Sequence, residues 1–411
     1  MAIGVFALPY IYHQAGTVRL GILTIIWSLI GYFSIFDFGL GRALTQRIAL
    51  EKARNNRLAV KAIARYGVIV TSLVGAVGSL LVFTVFNFFG LRWLNVPASL
   101  QTEVRTSFLL AAIAIPVTTA TSGLRGVLEG ESLFKMTGLL KFALGVCNFG
   151  GPVIAIYFYR PSLGYIVASL VIGRVVVLVG HLWAVSSTIG RFFSVADKAS
   201  TRGLFHFGGW MTLSNVISPL MVVADRFFIA AILGTAWVAY YTVPAEFMMR
   251  LLIIPAAYTS SLFPVLSGAM AGGSAQVEKV YSRAKKVVAV IMLPVVFLIA
   301  VSASVWLRVW LGGGFPEKSS ALVQLLAVGI FFNSLAQVPY TLIQASGDSK
   351  TTALIHLLES VIYVPVLLLS LKAYGVAGAA ATWSMRACID LILLAFAAKR
   401  ITMRMGRANA K

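Results

Sequence analysis

The sequence predicts an all-α integral membrane protein with about twelve transmembrane helices in two six-helix bundles. Three observations predict it: a composition too poor in charge to cover a water-facing surface, apolar stretches of bilayer-spanning length, and a faint repeat between the two halves. Of 411 residues, 59% are apolar and 11% charged, with a mean hydropathy of +0.90. A soluble surface needs about a quarter of its residues charged, so most of this chain's outer surface must face lipid.

The spans come first, because a helix crossing about 30 Å of hydrocarbon needs roughly 20 apolar residues. Eleven stretches qualify: 20–40, 62–89, 104–124, 142–159, 163–187, 205–232, 235–265, 287–307, 320–345, 352–371 and 375–398. Residues 1–12 make about half a span, too short to cross unaided. The opening MAIGVFALPY lacks the basic n-region of a cleavable signal peptide. The domain organisation expected is a six-helix bundle over 1–190 with a short first helix, a cytoplasmic linker over 191–204, a second six-helix bundle over 205–398 and a basic cytoplasmic tail over 399–411.

Charge orients the spans. There are 34 Lys plus Arg against 13 Asp plus Glu, a net +21. Segments 41–61, 125–141, 190–204, 267–286, 346–350 and the tail from Lys399 hold 22 of the 34 basic residues, whereas the alternating segments hold seven. Basic residues are retained on the cytoplasmic side, which places both termini there. Membrane topology and anionic lipid account for the excess charge. Nucleic-acid binding is excluded, since no basic cluster is interleaved with stacking aromatics. Cys147 and Cys388 lie in apolar stretches, and His13, His181, His206 and His356 have no HExxH or CxxC context, so no disulfide framework, metal site or cofactor is expected.

Duplication is visible at an offset of 217 residues, which lays Trp93-Leu94 over Trp310-Leu311 and Gly130-Glu131-Ser132 over Gly347-Asp348-Ser349. An even number of spans per half makes the repeats parallel. Two such bundles enclosing a midplane cavity suit alternating access. Pro116, Pro219, Pro244, Pro255, Pro294, Pro339 and Pro365 each remove a backbone hydrogen bond within a span and permit a kink.

Residues 16–49, GTVRLGILTIIWSLIGYFSIFDFGLGRALTQRIA, resemble the second-helix signature of oligosaccharide flippases, the polysaccharide-exporter branch of the multidrug/oligosaccharidyl-lipid/polysaccharide (MOP) superfamily. The run Asp37, Gly39, Gly41, Ala43, Thr45 carries the likeness, and QASGDSKTTALIH from Gln344 to His356 is similar to the family's polar turn between helices ten and eleven. The resemblance covers nearly the whole chain; family members carry about one more half-helix before the equivalent of Ala2. It implies a MATE-like fold and a multi-pass protein of the bacterial inner membrane. It further implies a polyprenyl-diphosphate-linked oligosaccharide as substrate, flipped from the cytoplasmic to the periplasmic leaflet for surface polysaccharide biosynthesis. Membrane lipids, a coupling proton or sodium ion and other glycan-assembly proteins are the partners it implies.

The residues are compatible with such a cargo, whose diphosphate needs a cationic, wet environment. Five arginines fall within predicted spans: Arg65, Arg174, Arg226, Arg250 and Arg386. Guanidinium groups match phosphate geometry bidentately. The acids Asp37, Asp225, Glu246, Glu359 and Asp390 also lie within spans. A charge at the bilayer centre costs about 2.5–3.5 kcal/mol, so these groups must pair or line a polar cavity.

Two readings stand side by side for Asp225-Arg226 and for the i, i+4 pairs Glu246–Arg250 and Arg386–Asp390. Either they are ion pairs locking helices, or the arginines hold diphosphate while the acids carry a coupling ion. Arg174 has no acid within one turn and is the better substrate candidate, whereas Arg65 can snorkel from a helix end. His356 and Glu359 share a helical face and read either as a proton relay or as packed polar groups. Asp37 either binds a coupling cation or pairs with Arg42 one turn on. His181 and His206 are expected at interfaces. The run Arg42 to Arg57, with Lys135 and Lys141, reads first as an orientation signal and second as an entry site for phosphate.

Asp37-Phe38-Gly39 spells a kinase metal-binding tripeptide without the loops that use it, and Gly312-Gly313-Gly314 lacks the Lys-Ser/Thr of a P-loop. No catalysis is expected. The competing function is an ion-coupled multidrug/cation antiporter of the same fold, which should present aromatic and acidic rather than arginine-rich walls. A glycan polymerase would need a large periplasmic loop, absent here.

Overall fold

A computed structural model describes residues 2–35, 40–190, 224–271, 273–312 and 315–409, and every regular element among them is helical. Two compact units result, Met1–Ala239 and Tyr240–Lys411.

In the first unit α1 (Ala2–Ile35) is two helices that meet at Gly16, whose φ of 79° breaks the helix, so the half-span at the start is a separate arm; Gly4 of that arm and Trp27 of the next both lie against Phe149. The helix α2 (Leu40–Ala53) ends in a turn with Asn55 at φ 55°, and Asn56 Oδ1 accepts the Ala59 N–H to cap α3 (Arg57–Val85). A π-turn (Phe86–Gly90) and a short helix (Leu91–Trp93) extend α3. Then come α4 (Gln101–Gly130), α5 (Phe134–Phe158), α6 (Leu163–Ile189) and α7 (224–233). The second unit holds α8 (Thr235–Arg250), which straddles the boundary, α9 (Ile253–Ala271), α10 (Ser274–Val301), α11 (Ala303–Leu311), α12 (Phe315–Ala345) and α13 (Ser349–Asn409).

Eight of these helical runs are long and apolar enough to cross a membrane. The stretch 235–265 is not one helix but two, α8 and α9, separated at Leu251–Leu252. Pro255 supplies the reason: it has no N–H for the Leu251 carbonyl and is accommodated best in the first turn of a new helix, which α9 provides. The stretch 287–307 is likewise divided, at Ser302, and α10 begins at Ser274, so Lys279, Arg283, Lys285 and Lys286 ride on a helical extension rather than a loop. The stretches 352–371 and 375–398 are the two arms of α13, which meet at Gly375 with φ 60°. Pro116, Pro244, Pro294, Pro339 and Pro365 sit inside continuous helices; Pro219 and the stretch 205–223 lie outside the described residues.

Helix α4 organises the first unit, packing against α1, α2, α3 and α6. Lipid tails are as apolar as Leu, so burying Leu supplies little drive for helix association, and close backbone packing must do it. The chain shows this in two ways. Leu80, Leu81, Phe88 and Val77 of the α3 run point outward, exposed. Inward, a Cβ on Gly126 of α4 would stand 2.6 Å from the Gly41 carbonyl oxygen of α2. Thr45 Oγ1 lies 2.9 Å from the same carbonyl and 3.1 Å from that of Gly126. Two members of the Gly41–Ala43–Thr45 run therefore build a helix contact.

Polar staples close both ends of the unit. At one, Arg19 meets Glu103 bidentately at 2.9 and 3.0 Å, and Glu103 also accepts the Leu163 N–H at 3.2 Å, tying α1, α4 and α6. At the other, buried Glu131 is held by Lys52 Nζ at 3.1 Å and Arg57 Nη1 at 3.4 Å. The long polar segment 41–61 is thus a helix and a capped turn pinned to the end of α4.

Replacing Gly126 by Ala forces α2 and α4 apart. The expected outcome is a thermal unfolding midpoint in detergent lowered by several degrees, with Gly138→Ala, where a Cβ meets nothing within 4 Å, as the neutral control.

Candidate functional site

Arg174 lies about eleven residues into α6, roughly 16 Å along its axis and so near mid-span. It is 7% exposed. Its Nη1 donates to its own helix's Leu170 carbonyl at 3.0 Å, and the Cys147 thiol of α5 lies beside it. Gly173, adjacent in sequence, lets α5 approach: a Cβ there would stand 2.5 Å from that of Cys147. Among the described residues no carboxylate meets Arg174. This is an enclosed guanidinium with most of its donors uncommitted, the state that invites an anionic ligand.

The second unit concentrates charge differently. Because α13 reverses at Gly375, its arms lie face to face, and four ionisable groups meet across them. Arg386 Nη1 donates to Glu359 Oε2 at 3.3 Å, and His356 Nε2 stands 3.5 Å from Asp390 Oδ1. Tyr340 of α12 stacks against the His356 ring with centroids 6.1 Å apart. Glu359 and Asp390 are each 5% exposed, and Glu359 Oε1 and Arg386 Nε are buried without a hydrogen-bond partner among the described residues. Glu359 and Arg386 sit about ten residues from Ser349 and from Gly375 respectively, about 15 Å deep and so near the middle of a 30 Å core.

The expected i, i+4 pairing of Arg386 with Asp390 is therefore replaced by cross-arm pairing. Local spacing allowed the former. The antiparallel arms bring Arg386 to Glu359 and His356 to Asp390 instead, and leave Glu359 Oε1 and Asp390 Oδ1 without a hydrogen-bond partner among the described residues. His356 and Glu359 do share a face, the one turned to the partner arm.

Glu246 and Arg250 pair along α8 at 3.9 Å, both substantially exposed. Asp225 and Arg226 are buried, but Asp225 Oδ1 accepts the Arg226 backbone N–H at 2.7 Å, while the Arg226 Nη1 donates to Ser28 Oγ of α1. Arg226 thus reaches across the unit instead of only to its sequence neighbour. Arg65 is half-buried on α3. Asp37 and His206 lie outside the described residues. His181 is 2% exposed, enclosed rather than interfacial, because α6 continues to Ile189 and carries it inside the bundle.

Sequence reasoning weighed Lys141 of α5 but missed the group it joins on the neighbouring helix, Arg125 and Glu129 of α4. Lys141 stands 3.6 Å and Arg125 3.9 Å from Glu129 Oε1. The i, i+4 spacing of Arg125 and Glu129 was the available signal. The third member comes from another helix.

These features define a multi-pass helical membrane protein carrying isolated and paired charges within its spans. Over 99% of its length and 95% of the other chain's, it matches the inward-facing structure of a multidrug resistance MATE family transporter of the MOP superfamily, with a TM-score of 0.87 at 14% identity. A eukaryotic MATE transporter, AtDTX14, matches over 99% and 94% of the two chains with a TM-score of 0.66 at 16% identity. The fold is MATE-like.

The chain belongs to the polysaccharide biosynthesis protein family, whose model matches residues 2–270. It is 32% identical to a Shigella flexneri protein named "Putative O-antigen transporter" over 95% of this chain and 92% of that one. It is also 23% identical to the uncharacterized membrane protein EpsK of Bacillus subtilis (strain 168), over 88% and 72% of the respective lengths.

The cross-arm pairing makes a distinctive demand on stability. Removing one partner of a buried ion pair strands the other, at a cost of about 3–5 kcal/mol. Arg386→Gln should lower the unfolding midpoint strongly, and the double variant Arg386→Gln/Glu359→Gln should recover much of the loss. Additive losses in that cycle would show the two groups to be uncoupled.

Proposed function

We propose that this protein moves a polyprenyl-diphosphate-linked oligosaccharide from the cytoplasmic to the periplasmic leaflet of the bacterial inner membrane, by alternating access and without catalysing a covalent step. Its termini lie in the cytoplasm, on the side the basic segments mark. Family membership and the Shigella flexneri relative support a glycan cargo. The observation that carries the reading is Arg174. An enclosed arginine that no carboxylate among the described residues meets, near mid-span, costs about 2.5–3.5 kcal/mol on insertion scales and is retained most economically as a ligand for an anion. The diphosphate is the anionic part of this cargo. Of the other in-span arginines, Arg250 and Arg386 spend donors on Glu246 and Glu359 and Arg226 on Ser28, while Arg65 is only half-buried, which leaves Arg174 the strongest.

Energy enters through the α13 quartet. With His356 neutral, Glu359, Asp390 and Arg386 leave one negative charge near the middle of the hydrocarbon. One proton on His356 or a carboxylate brings the cluster to neutrality, so it is suited to hold one exchangeable proton. A metal ion is less suited, since no group of three or more His, Cys, Asp or Glu among the described residues is placed to hold one. Asp37, Asp225 and Glu246 are the secondary coupling candidates, and contacts with other glycan-assembly proteins complete the reading.

Deleting the gene should abolish surface glycan and trap lipid-linked oligosaccharide on the cytoplasmic leaflet, read by a leaflet-resolved glycan assay. Continued glycan export together with lost resistance to cationic dyes would favour the multidrug antiporter instead. Arg174→Ala should reduce export about tenfold or more at unchanged protein abundance, and Arg174→Lys should retain part of it; normal export in Arg174→Ala removes Arg174 from the site. In proteoliposomes, Asp390→Asn should abolish acceleration of flipping by an imposed pH gradient. A gradient response equal to wild type would exclude the quartet from coupling.

A further inference from the structure

Apart from the groups used above, the first unit holds an unbalanced charge cluster where α4, α5 and α6 meet, beside the α4–α5 turn. One carboxylate, Glu129, faces two cations, Lys141 Nζ at 3.6 Å and Arg125 Nε at 3.9 Å. These separations are attractions of charge rather than hydrogen bonds. Arg125 Nη2 donates to Ser122 Oγ at 3.3 Å, and neither cation gives a hydrogen bond to the acid they share. The three side chains are partly exposed, Lys141 most.

Behind them stands His181. Its Nδ1 lies 2.9 Å from the Val177 carbonyl of its own helix and must donate to it, since a carbonyl only accepts. The opposite edge of the ring therefore points away from the α6 backbone, and its Nε2 is buried with no partner among the described residues. Arg125 and Lys141 both act on this imidazole electrostatically, which places all three in one neighbourhood. Gly180 makes room, since a Cβ there would stand 2.8 Å from Leu140 beside Lys141. With the imidazole neutral, the cluster carries one excess positive charge at the end of the unit that its basic segments mark as cytoplasmic.

We propose that Arg125 and Lys141, backed by His181, form a binding site for the phosphate of a lipid headgroup, with Glu129 as the counter-ion that the phosphate displaces. The site holds the uncommitted donors that a phosphate uses, a guanidinium fork and an ammonium, on two different helices. Glu129 prevents the two cations from repelling each other when the site is empty and opposes the ligand when it is full, which suits capture followed by release. Seven residues back along α6, about 10 Å and nearly two full turns, Arg174 lies on the same face as His181. The cluster is thus a loading position from which a diphosphate passes inward toward Arg174. That assignment of cargo rests on the flippase reading; the phosphate site itself does not.

The test uses the purified full-length protein in neutral-lipid nanodiscs with farnesyl diphosphate as probe. Wild type should bind saturably, the double variant Arg125→Gln/Lys141→Gln about tenfold or more weakly, and Glu129→Gln more tightly than wild type. Tighter binding in Glu129→Gln is a result that damaged folding does not produce. Unchanged affinity in the double variant, or weakened binding in Glu129→Gln, overturns the proposal. A second arm separates the sources of phosphate: phosphatidylglycerol at the same headgroup concentration should displace the probe weakly. Equal displacement would make this a bulk-lipid contact and overturn the loading role. The flippase reading fails separately, if the deletion strain still exports glycan while the purified protein binds the probe as described.

Discussion

The cost of an ionised group in hydrocarbon governs this molecule. With only 11% of its residues charged, the chain spends each membrane-embedded charge under constraint, because an unpartnered one is expensive at mid-depth. The structure answers that constraint in three distinct ways. Arg386, Glu359, His356 and Asp390 answer it by meeting across the arms of one helical hairpin. Arg226 answers it with a hydroxyl on another helix, Ser28. Arg174 is enclosed with a backbone carbonyl and a thiol as neighbours, and that exception makes it informative.

The same constraint explains the polar staples. Arg19 with Glu103, and Glu131 with Lys52 and Arg57, sit at the ends of the unit, where partial hydration lowers the desolvation cost and the pair can fix helix ends. Between the staples the helices cannot rely on hydrophobic burial, since lipid is as good a solvent for Leu as another helix is. Contact instead follows small residues, Gly41 on Gly126 and Gly173 on Cys147. One consequence links packing to function: the glycine that brings α5 and α6 together stands next to the arginine at mid-span. The seam that is close enough to pack is also the one that encloses the charge.

Much of this was legible in the chain itself. Composition and span length required a multi-pass helical membrane protein, and the residues 16–49 pointed to the family that the comparisons show. The i, i+4 pair Glu246–Arg250 forms as its spacing suggests, since both members belong to one helix. That Arg174 has no acid within a turn of its own helix was legible too, whereas the lack of a carboxylate from another helix among the described residues was not. By contrast, the α8–α9 division at Leu251–Leu252 was obscured by an apolar run that hydropathy reads as one span, although Pro255 marked it. The helical extension carrying Lys279 to Lys286 was hidden because charge signals topology, whatever the secondary structure beneath it.

Composition and intervals along one helix are enough to give the solvent, the helical class and which residues bear charge inside the membrane, and the resemblance of residues 16–49 gives the family. Which group neutralises which depends on how the helices pack. Arg386 chooses Glu359 over Asp390, and Lys141 joins Arg125 at Glu129, through contacts set by which helix faces meet. Coulomb attraction depends on distance in space, and helix packing rewrites that distance for every pair that does not share a helix.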